Sequence, residues 1–296
     1  MIIARLMGGL GNQMFQYAAA RTLALRLGVE LKLDLSFFNQ ENRETTPRSY
    51  ELDVFRIAAA PATLEELSVA ESLSVRNDSI FSRLKGVLSG QREEPFLYRE
   101  PHFQYDPELL KQPDGTVLSG YWQSERYFVE HRPLLLSEFT LKNGMESRYQ
   151  EIEADIDSSE SVAVHIRRGD YASNPAVADY HGLCSLDYYH KAAAIMARQL
   201  KAPRFFLFSD DPDWVAGSLK LSSPSTVASF KDCTSPASEL LLFSRCSHAI
   251  IANSSFSWWG GWLNQNRNKI VIAPERWFAR PEINTDDLIP ASWIRL

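Results

Sequence analysis

The fold is decided by the stretch IIARLMGGLGNQMFQYAAARTLALRLGVELKLDL, which runs from Ile2 to Leu35. An apolar segment, IIARL, leads into a glycine turn, GGLGN, and then into a helix of good helix formers that should end at Gly28. The segment VELKLDL alternates apolar and polar residues, which is typical of a strand. A strand, a helix and a second strand in this order form a βαβ unit. The stretch therefore predicts a parallel sheet with helices on its faces.

The alternation of strands and helices continues further along the chain. Short apolar runs predict further strands, with the sequences TVLSGYW, SVAVHI, RFFLFSD, HAIIA and KIVIAP. Helical patterns separate the later ones, with the sequences SLDYYHKAAAIMARQL, ASELLLFSRC and SSFSWWGGWLNQ. Residues 40–115 predict only shorter helices and loops. We interpret the acidic segment EIEADIDSSE as a linker, which divides the chain into two α/β domains, residues 1–150 and 151–296.

Composition excludes several classes of protein. The chain has 296 residues, 45% of them hydrophobic and 23% charged, as in an ordinary packed protein. The formal net charge of −6 argues against a nucleic-acid-binding protein, which needs a basic face. No run approaches the roughly 20 apolar residues of a membrane span, and the first residues do not resemble a secretory signal. Three widely spaced cysteines, Cys184, Cys233 and Cys246, form no C-x-x-C pair, so we expect a soluble protein of a reducing compartment.

The glycine turn GGLGNQ is the first candidate site. Gly9 and Gly11 would let the backbone approach a ligand, and the helix that follows offers unpaired N–H groups to an anion. A dinucleotide fingerprint is an alternative, with Asp34 as the acid that binds the ribose. Met14 stands where that fingerprint has its third glycine, however, and Asn12 favours another polar ligand. A tight turn without any ligand is the simplest alternative.

The stretch VAVHIRRGDY, residues 162–171, places two arginines at the end of a buried strand. Neighbouring side chains of a strand point to opposite sides, so Arg167 and Arg168 should serve different partners. One would bind an anion, such as a pyrophosphate, and the other would pair with an acid such as Asp170. A double ion pair without a ligand is the alternative, although binding sites of parallel sheets lie at the carboxyl ends of the strands.

Two further strand ends carry polar residues. Asp211 and Asp213 could bind a metal, but Asp211 before Pro212 is more typical of a helix N-cap. The segment IIANSSFSWWGGWL places Asn253 and two serines, Ser254 and Ser255, at the start of a helix, which predicts a second anion site. Ser255 as a plain N-cap is the alternative there.

The tryptophans of the same segment, Trp258, Trp259 and Trp262, should pack in the core. The chain has no P-loop pattern for a triphosphate. Together, the strand ends predict a site for a nucleotide diphosphate.

Several blocks resemble the bacterial α-1,2-fucosyltransferases of glycosyltransferase family 11. They are GGLGNQMFQYAAAR, KLDLSFF, RSYELDVF, GYWQSERYF, HIRRGDY, HGLCSLDYY, SDDPDWV and NSSFSWWGGWL. The pattern HxRRxD is also found in α-1,6- and protein O-fucosyltransferases, whereas its combination with GGLGNQ and NSSFSWWG is more specific. The resemblance extends over nearly the whole chain.

The resemblance implies a GT-B-like α/β fold, with two Rossmann-type domains and a cleft between them. It implies transfer of L-fucose, with inversion, from GDP-β-L-fucose to the 2-hydroxyl of a galactose-terminated acceptor, without a cofactor or a metal. O-antigen or another surface glycan would be the product. The protein would be cytoplasmic and bacterial, associated at most loosely with the inner membrane through a lipid-linked acceptor. The alternatives are another fucosyl linkage, such as α-1,6, and a non-catalytic nucleotide- or carbohydrate-binding protein.

The resemblance also assigns roles to individual residues. Arg167 would hold the β-phosphate of the donor, and His165 would contact its nucleoside. Asn12, with Gly9 and Gly11 beside it, would face the fucose and the diphosphate. The remaining donor contacts would come from Ser254, Ser255, Phe256 and Glu239, the last at a position where the family usually has aspartate. The base that takes the proton of the acceptor hydroxyl stays open among His181, Asp179, Asp187 and Asp34.

Overall fold

The computed structural model describes residues 1–39, 48–68, 96–169, 179–180, 182–232 and 235–296. The chain forms two compact units. The first comprises Met1–Phe139 and Asp286–Leu288, and the second comprises Thr140–Thr285 and Ile289–Leu296. Each unit contains one parallel β-sheet, so the predicted α/β class is confirmed.

The first unit is built on a five-stranded sheet with the strand order β3-β2-β1-β5-β4, in which all neighbours are parallel. Its elements, in chain order, are β1 (Ile2–Arg5), α1 (Leu10–Leu27), β2 (Leu31–Asp34), β3 (Ala60–Pro61), β4 (Phe96–Arg99), β5 (Thr116–Ser119) and α2 (Arg132–Glu138).

The first βαβ unit forms as its sequence predicts, except at the start of the helix. Gly28 ends α1 in the left-handed conformation, with φ of 67°, and its N–H bonds to the carbonyl of Leu25. The helix begins three residues before the predicted Gln13, because Gly9 is the N-cap. Gly11 and Asn12 therefore lie in the first helical turn, at the positive end of the helix dipole.

The second unit is built on a six-stranded parallel sheet with the order β11-β10-β9-β6-β7-β8. Its elements are α3 (Gln150–Asp157), β6 (Glu160–Ile166), α4 (Leu186–Gln199), β7 (Pro203–Ser209), α5 (Pro212–Ser218), β8 (Ser225–Val227), α6 (Pro236–Arg245), β9 (His248–Ile250), α7 (Ser255–Leu263), β10 (Val271–Ala273) and β11 (Ile294–Arg295). Every strand and helix predicted after residue 160 is present.

The tryptophans of α7 lie in the core of the second unit, as predicted. Trp258 and Trp259 are completely buried, and their rings meet edge to face at 5.2 Å. Trp262 is stacked on Trp258 at 6.2 Å. These aromatic contacts fix the position of α7, and therefore that of the polar residues at its N-terminus.

The acidic segment EIEADIDSSE is not a linker, so that interpretation was wrong. Most of it forms α3, which packs against α6 and β6 of the second unit. Ile156 is buried, and the acidic side chains lie on the outer face, where Asp155 pairs with Arg204. The chain passes from the first unit to the second between Phe139 and Thr140.

Candidate functional site

Two neighbouring strands of the second unit end in oppositely charged residues. Arg167 follows β6, and Asp210 follows β7. Nη1 of Arg167 lies 2.7 Å from Oδ2 of Asp210, whose Oδ1 accepts the backbone N–H of Arg168 at 2.9 Å. Gly169 permits this arrangement, because a Cβ at its position would lie 2.5 Å from Oδ2 of Asp210. Asp210 therefore orients Arg167.

Asp210 was not among the residues predicted from the sequence. The available signal was its place at the end of a strand in the block SDDPDWV.

The second arginine of the pair has a different partner, as the alternation of a strand requires. Nε of Arg168 lies 3.3 Å from Oδ2 of Asp211, and its guanidinium is stacked over the ring of Trp214 at 3.6 Å. Asp170, which the sequence suggested as the partner, lies outside the described residues. The contacts of Arg168 with Asp211 and Trp214 therefore stabilise the fold, while Arg167 pairs with Asp210 at the edge of the sheet.

Asp211 is the N-cap of α5, as the sequence pattern favoured. Its carboxylate accepts the N–H of Trp214 at 3.3 Å, and Pro212 is the first helical residue. Asp213 pairs with Lys231 at 2.8 Å. Within the described ranges, no group of three or more His, Cys, Asp or Glu side chains is arranged to hold a metal ion.

His165 lies beneath this edge of the sheet, two residues before Arg167. Its ring is packed against Phe256 of α7 at 5.2 Å and against Phe243 of α6 at 6.3 Å. Burial, and next the charge of Arg167, lowers the pKa of His165 from its ordinary value to about 3, so the imidazole is neutral at physiological pH. Among the described residues, its Nδ1 has no hydrogen-bond partner.

The N-cap of α7 is not Ser255, the residue that the sequence suggested as a plain N-cap. Ser254, not Ser255, is the N-cap, and its side chain makes no capping hydrogen bond. The hydroxyl of Ser257 donates to the carbonyls of Ala252 and Ser254, both at 3.1 Å. Ser255 and Phe256 occupy the first turn and are partly exposed, so they remain accessible to a ligand.

Asn253 serves the fold rather than an anion site. Its buried amide donates to the carbonyls of Gly182 at 3.2 Å and Trp277 at 3.1 Å, and it accepts from the thiol of Cys184 at 3.4 Å. It thereby ties the segment after the arginine pair, and the segment after β10, to the end of β9.

Glu239 is buried in the first turn of α6, with its carboxylate held by protein groups. It accepts from the hydroxyl of Ser229 at 3.0 Å, from the N–H of Phe230 at 3.3 Å and from the hydroxyl of Tyr149 at 3.4 Å. These contacts explain how the second unit tolerates a buried acid at this position. Contact with a guanine or ribose remains a prediction.

The candidate bases of the second unit differ in their surroundings. Asp179 is exposed and lies 3.6 Å from Arg280. Asp187, in the first turn of α4, is exposed and pairs with Lys191 at 2.7 Å. His181 lies outside the described residues. Neither of the two described carboxylates is therefore singled out by its geometry.

Asp34, the fourth candidate base, ends β2 in the first unit. It is buried and accepts from Nε of Arg5 at 2.8 Å and from the N–H of Ser36 at 2.9 Å. Burial alone would raise the pKa of this carboxyl, but the hydrogen bonds from Arg5 and Ser36 outweigh it and lower the pKa. A carboxylate held in this way is a weaker proton acceptor than a free one.

The glycine turn of the first unit brings a polar side chain against the backbone. Gly8 has φ of 75°, and a Cβ at its position would lie 2.6 Å from Nδ2 of Asn12. Oδ1 of Asn12 accepts a hydrogen bond of 2.8 Å from Nε2 of Gln123. The first turns of α1 and of α7 contain no acidic residue, so each helix N-terminus suits an anionic or strongly polar ligand.

A parallel α/β unit with an arginine at a strand end and an acid-free helix N-terminus is typical of a protein that binds an anionic ligand at the carboxyl edge of its sheet. The chain belongs to glycosyl transferase family 11, whose sequence pattern matches residues 109–296. The predicted membership of glycosyltransferase family 11 is confirmed.

Two relatives from Escherichia coli are similar to the chain over its whole length. It is 36% identical to an α-1,2-colitosyltransferase, over 100% of this chain and 98% of the relative. It is 32% identical to the O-antigen biosynthesis glycosyltransferase WbnK, over 98% of this chain and 99% of the relative. The chain is therefore a glycosyltransferase.

The structure of a mutant of FUT1 from Arabidopsis thaliana in complex with GDP has a similar fold. Its TM-score is 0.53, its identity is 10%, and the match covers 93% of this chain and 71% of that chain. The predicted GT-B-like class, with two parallel α/β units, is confirmed. None of the helices described here is both long and apolar enough to cross a membrane.

Proposed function

We propose that this glycosyltransferase moves L-fucose from GDP-β-L-fucose to the 2-hydroxyl of a terminal β-galactoside, with inversion, during synthesis of an O-antigen or a similar surface glycan. Membership of family 11 supports glycosyl transfer. The 1,2 linkage and the O-antigen are supported by the names of the two Escherichia coli relatives, and GDP is supported by the nucleotide bound to FUT1. Fucose is supported by the sequence blocks that resemble α-1,2-fucosyltransferases.

One observation carries the proposal. The end of β6, with His165 and Arg167, lies beside the first turn of α7, because the rings of His165 and Phe256 are 5.2 Å apart. A guanidinium and a helix N-terminus at one edge of a sheet suit a diphosphate, since both offer N–H donors to its oxygens. The neutral ring of His165 adds an apolar surface and a polar nitrogen beside that position.

The proposed mechanism depends on charge that develops during the reaction. As the bond between fucose and phosphate breaks, negative charge grows on the GDP oxygens, and the sugar becomes cation-like. Asp210 orients Arg167 before the reaction, so Arg167 stabilises that negative charge with little reorganisation. The N–H groups at the start of α7 stabilise the same charge. We propose that the reaction needs no metal, because these groups supply the positive charge. The acceptor hydroxyl attacks the opposite face of the sugar as GDP departs, and its proton passes to the base that stays open among His181, Asp179, Asp187 and Asp34.

A second candidate donor is favoured by one relative. Colitose is L-fucose without the 3-hydroxyl group, and the relative that is 36% identical is named as a colitosyltransferase. The candidate function is therefore transfer of colitose from its GDP-activated form to the same 2-hydroxyl. A donor pocket that hydrogen-bonds the 3-hydroxyl would reject colitose strongly, whereas an apolar one would accept both sugars.

The test is a transfer assay with the purified chain in the presence of EDTA. GDP-fucose and GDP-colitose are each offered with a panel of β-galactosides, release of GDP is measured, and the linkage of the product is determined by NMR. We expect an α-1,2-linked product from GDP-fucose. Preference for GDP-colitose would establish the second candidate, and an α-1,6 linkage or no transfer from either donor would refute both.

The role of Arg167 is tested with a matched control. Arg167→Ala should lower kcat by about 10²- to 10³-fold, as loss of one preorganised donor does. Arg204 is a suitable control, because it lies at the opposite end of the same sheet and pairs with Asp155 at 2.6 Å. Arg204→Ala should leave kcat within about threefold of the wild-type value, because this partly exposed ion pair is far from the carboxyl ends of the strands and contributes little to stability. Equal losses in both variants would remove the assigned role of Arg167.

A further inference from the structure

A cluster at the carboxyl edge of the first sheet extends beyond the residues assigned to the donor. It consists of Glu100, Gly120, Trp122 and Gln123, and it ends at Asn12 in the first turn of α1. Glu100 follows β4 and Gly120 follows β5, and these strands are parallel neighbours. The backbone N–H of Glu100 continues their pairing with a hydrogen bond of 2.9 Å to the carbonyl of Ser119.

The carboxylate of Glu100 anchors the turn that follows β5. Its Oε2 accepts the N–H of Tyr121 at 2.7 Å, and its Oε1 accepts the N–H of Trp122 at 2.9 Å. Both oxygens therefore bind consecutive backbone groups of one turn. Burial raises the pKa of Glu100, although these two hydrogen bonds act in the opposite direction.

Gly120 allows the close approach of this anchor. A Cβ at position 120 would lie 2.9 Å from Oε2 of Glu100, 2.9 Å from Cε2 of Trp122, and closer still to Cβ of Glu100. Ordinary contacts between such atoms are about 3.5–4.0 Å, so no other residue fits without a shift of the turn.

Trp122 holds an unfavourable backbone conformation. With φ of 55°, it is the single non-glycine residue of positive φ in the part of the chain that the structure describes. Its side chain is buried, stacked on Tyr98 at 6.0 Å and edge-on to Tyr127 at 5.8 Å. Such a conformation persists only where the surroundings impose it, and it is often found at functional sites.

The turn at residues 120–122 determines the position of the next residue, Gln123. Gln123 is buried, and its Nε2 donates to Oδ1 of Asn12 at 2.8 Å. Because the acceptor oxygen of Asn12 is engaged by Gln123, the orientation of its amide is fixed, and Nδ2 is the group presented as a donor. Gly8 leaves the space in which Nδ2 lies.

We infer that Gln123 is a positioning residue, which fixes the amide of Asn12 so that Nδ2 donates to an oxygen of the sugar-phosphate donor. Glu100, Gly120 and Trp122 hold Gln123 in place. The inference rests on the proposed function, in which Asn12 contacts the donor. The inference goes beyond that function because Gln123 contacts Asn12 and not the donor itself.

The first test does not depend on activity. The side-chain amide resonances of Asn12 are identified by ¹H–¹⁵N NMR from their loss in Asn12→Asp. In Gln123→Ala they should shift or broaden, because their hydrogen-bond partner is gone. Ser124→Ala is the matched control, since Ser124 is the next residue and its hydroxyl donates to the carbonyl of Asp287 at 2.7 Å. In that variant the resonances of Asn12 should stay in place.

The second test uses the transfer assay. Gln123→Ala should lower kcat by about 10- to 100-fold, the range expected for a misplaced catalytic contact. Gln123→Glu should lower it at least as much, because a carboxylate cannot donate to Oδ1 of Asn12. Adding Gln123→Ala to Asn12→Ala should cause less than about a threefold further loss, since both changes remove one interaction.

The outcomes separate the inference from the proposed function. Unmoved Asn12 resonances in Gln123→Ala, or losses in kcat that multiply in the double variant, would overturn the inference. Absence of transfer by the wild-type protein would overturn the proposed function, and the NMR comparison would still decide whether Gln123 orients Asn12.

Discussion

Gly260 lies where α7 packs against α6, and Gly260→Ala tests the closeness of that packing. A Cβ at position 260 would lie 3.0 Å from Cγ of Phe243, 2.6 Å from its Cε1, and closer still to its Cδ1. Phe243 is completely buried, with the ring of Phe208 at 5.3 Å and that of His165 at 6.3 Å. A shift of the ring of Phe243 would therefore press on its neighbours Phe208 and His165.

The expected change in stability follows from two opposing effects. Overpacking a core typically costs about 1–3 kcal/mol, and this clash involves a ring that is confined on both sides, so we expect about 3 kcal/mol. Alanine is favoured over glycine in a helix by about 1 kcal/mol. The free energy of unfolding should therefore fall by about 2 kcal/mol. With a slope of about 2 kcal/mol/M in urea, the midpoint should fall by about 1 M.

Tryptophan fluorescence during urea unfolding measures this change. Gly217→Ala is the matched control, because Gly217 lies in α5 and, apart from its chain neighbours and the backbone of its own helix, no atom lies within 4 Å of the position of its Cβ. That variant should gain up to about 1 kcal/mol. Transfer activity should fall in Gly260→Ala alone, since displacement of Phe243 moves His165. A Gly260→Ala protein as stable as the wild type would refute the reasoning.

Three further predictions concern charge and space at the two sheet edges. Asp210→Asn removes the charged partner of Arg167, so kcat should fall by about tenfold, and an unchanged kcat in the transfer assay would contradict that role. The pKa of His165 is about 3 in the folded protein and about 6.5 in the unfolded protein. Between about pH 6.5 and about pH 3 the unfolded state therefore binds more protons, so the free energy of unfolding should fall as the pH falls through this range. His165→Gln should weaken that dependence in urea unfolding at pH 7.5 and pH 5, and an equal dependence would show that the histidine does not cause it. Gly120→Ala forces its Cβ against Glu100, so Tm should fall by several degrees in calorimetry, and an unchanged Tm would mean that the turn adapts freely.

Local patterns predicted most of the architecture. The βαβ unit, the end of α1 at Gly28 and the N-cap at Asp211 depend on hydrophobic periodicity and on residues close in the sequence. The strands β3 and β11 have two residues each, which is too short for a periodic pattern. The acidic helix α3 was mistaken for a linker because its charges outnumber the apolar residues that face the core.

The site was less predictable than the fold. The pairing of Arg167 with Asp210 joins two strand ends that are 43 residues apart in the sequence, and only the order of strands in the sheet brings them together. Asn253 had the residue type of an anion-binding group, but its amide serves two backbone carbonyls instead. Glu100 lies in a segment without a clear pattern, so no local signal indicated that it anchors a turn.

The ion pair between Arg167 and Asp210 also limits which anions can occupy this edge of the sheet. A small anion, such as chloride or inorganic phosphate, must compete with a tethered carboxylate and has few other contacts to offset the loss. A larger ligand can compete with this carboxylate, because contacts of its remaining groups supply additional binding energy. The carboxylate of Asp210 thus disfavours small anions at this edge of the sheet, relative to a ligand that also contacts neighbouring groups.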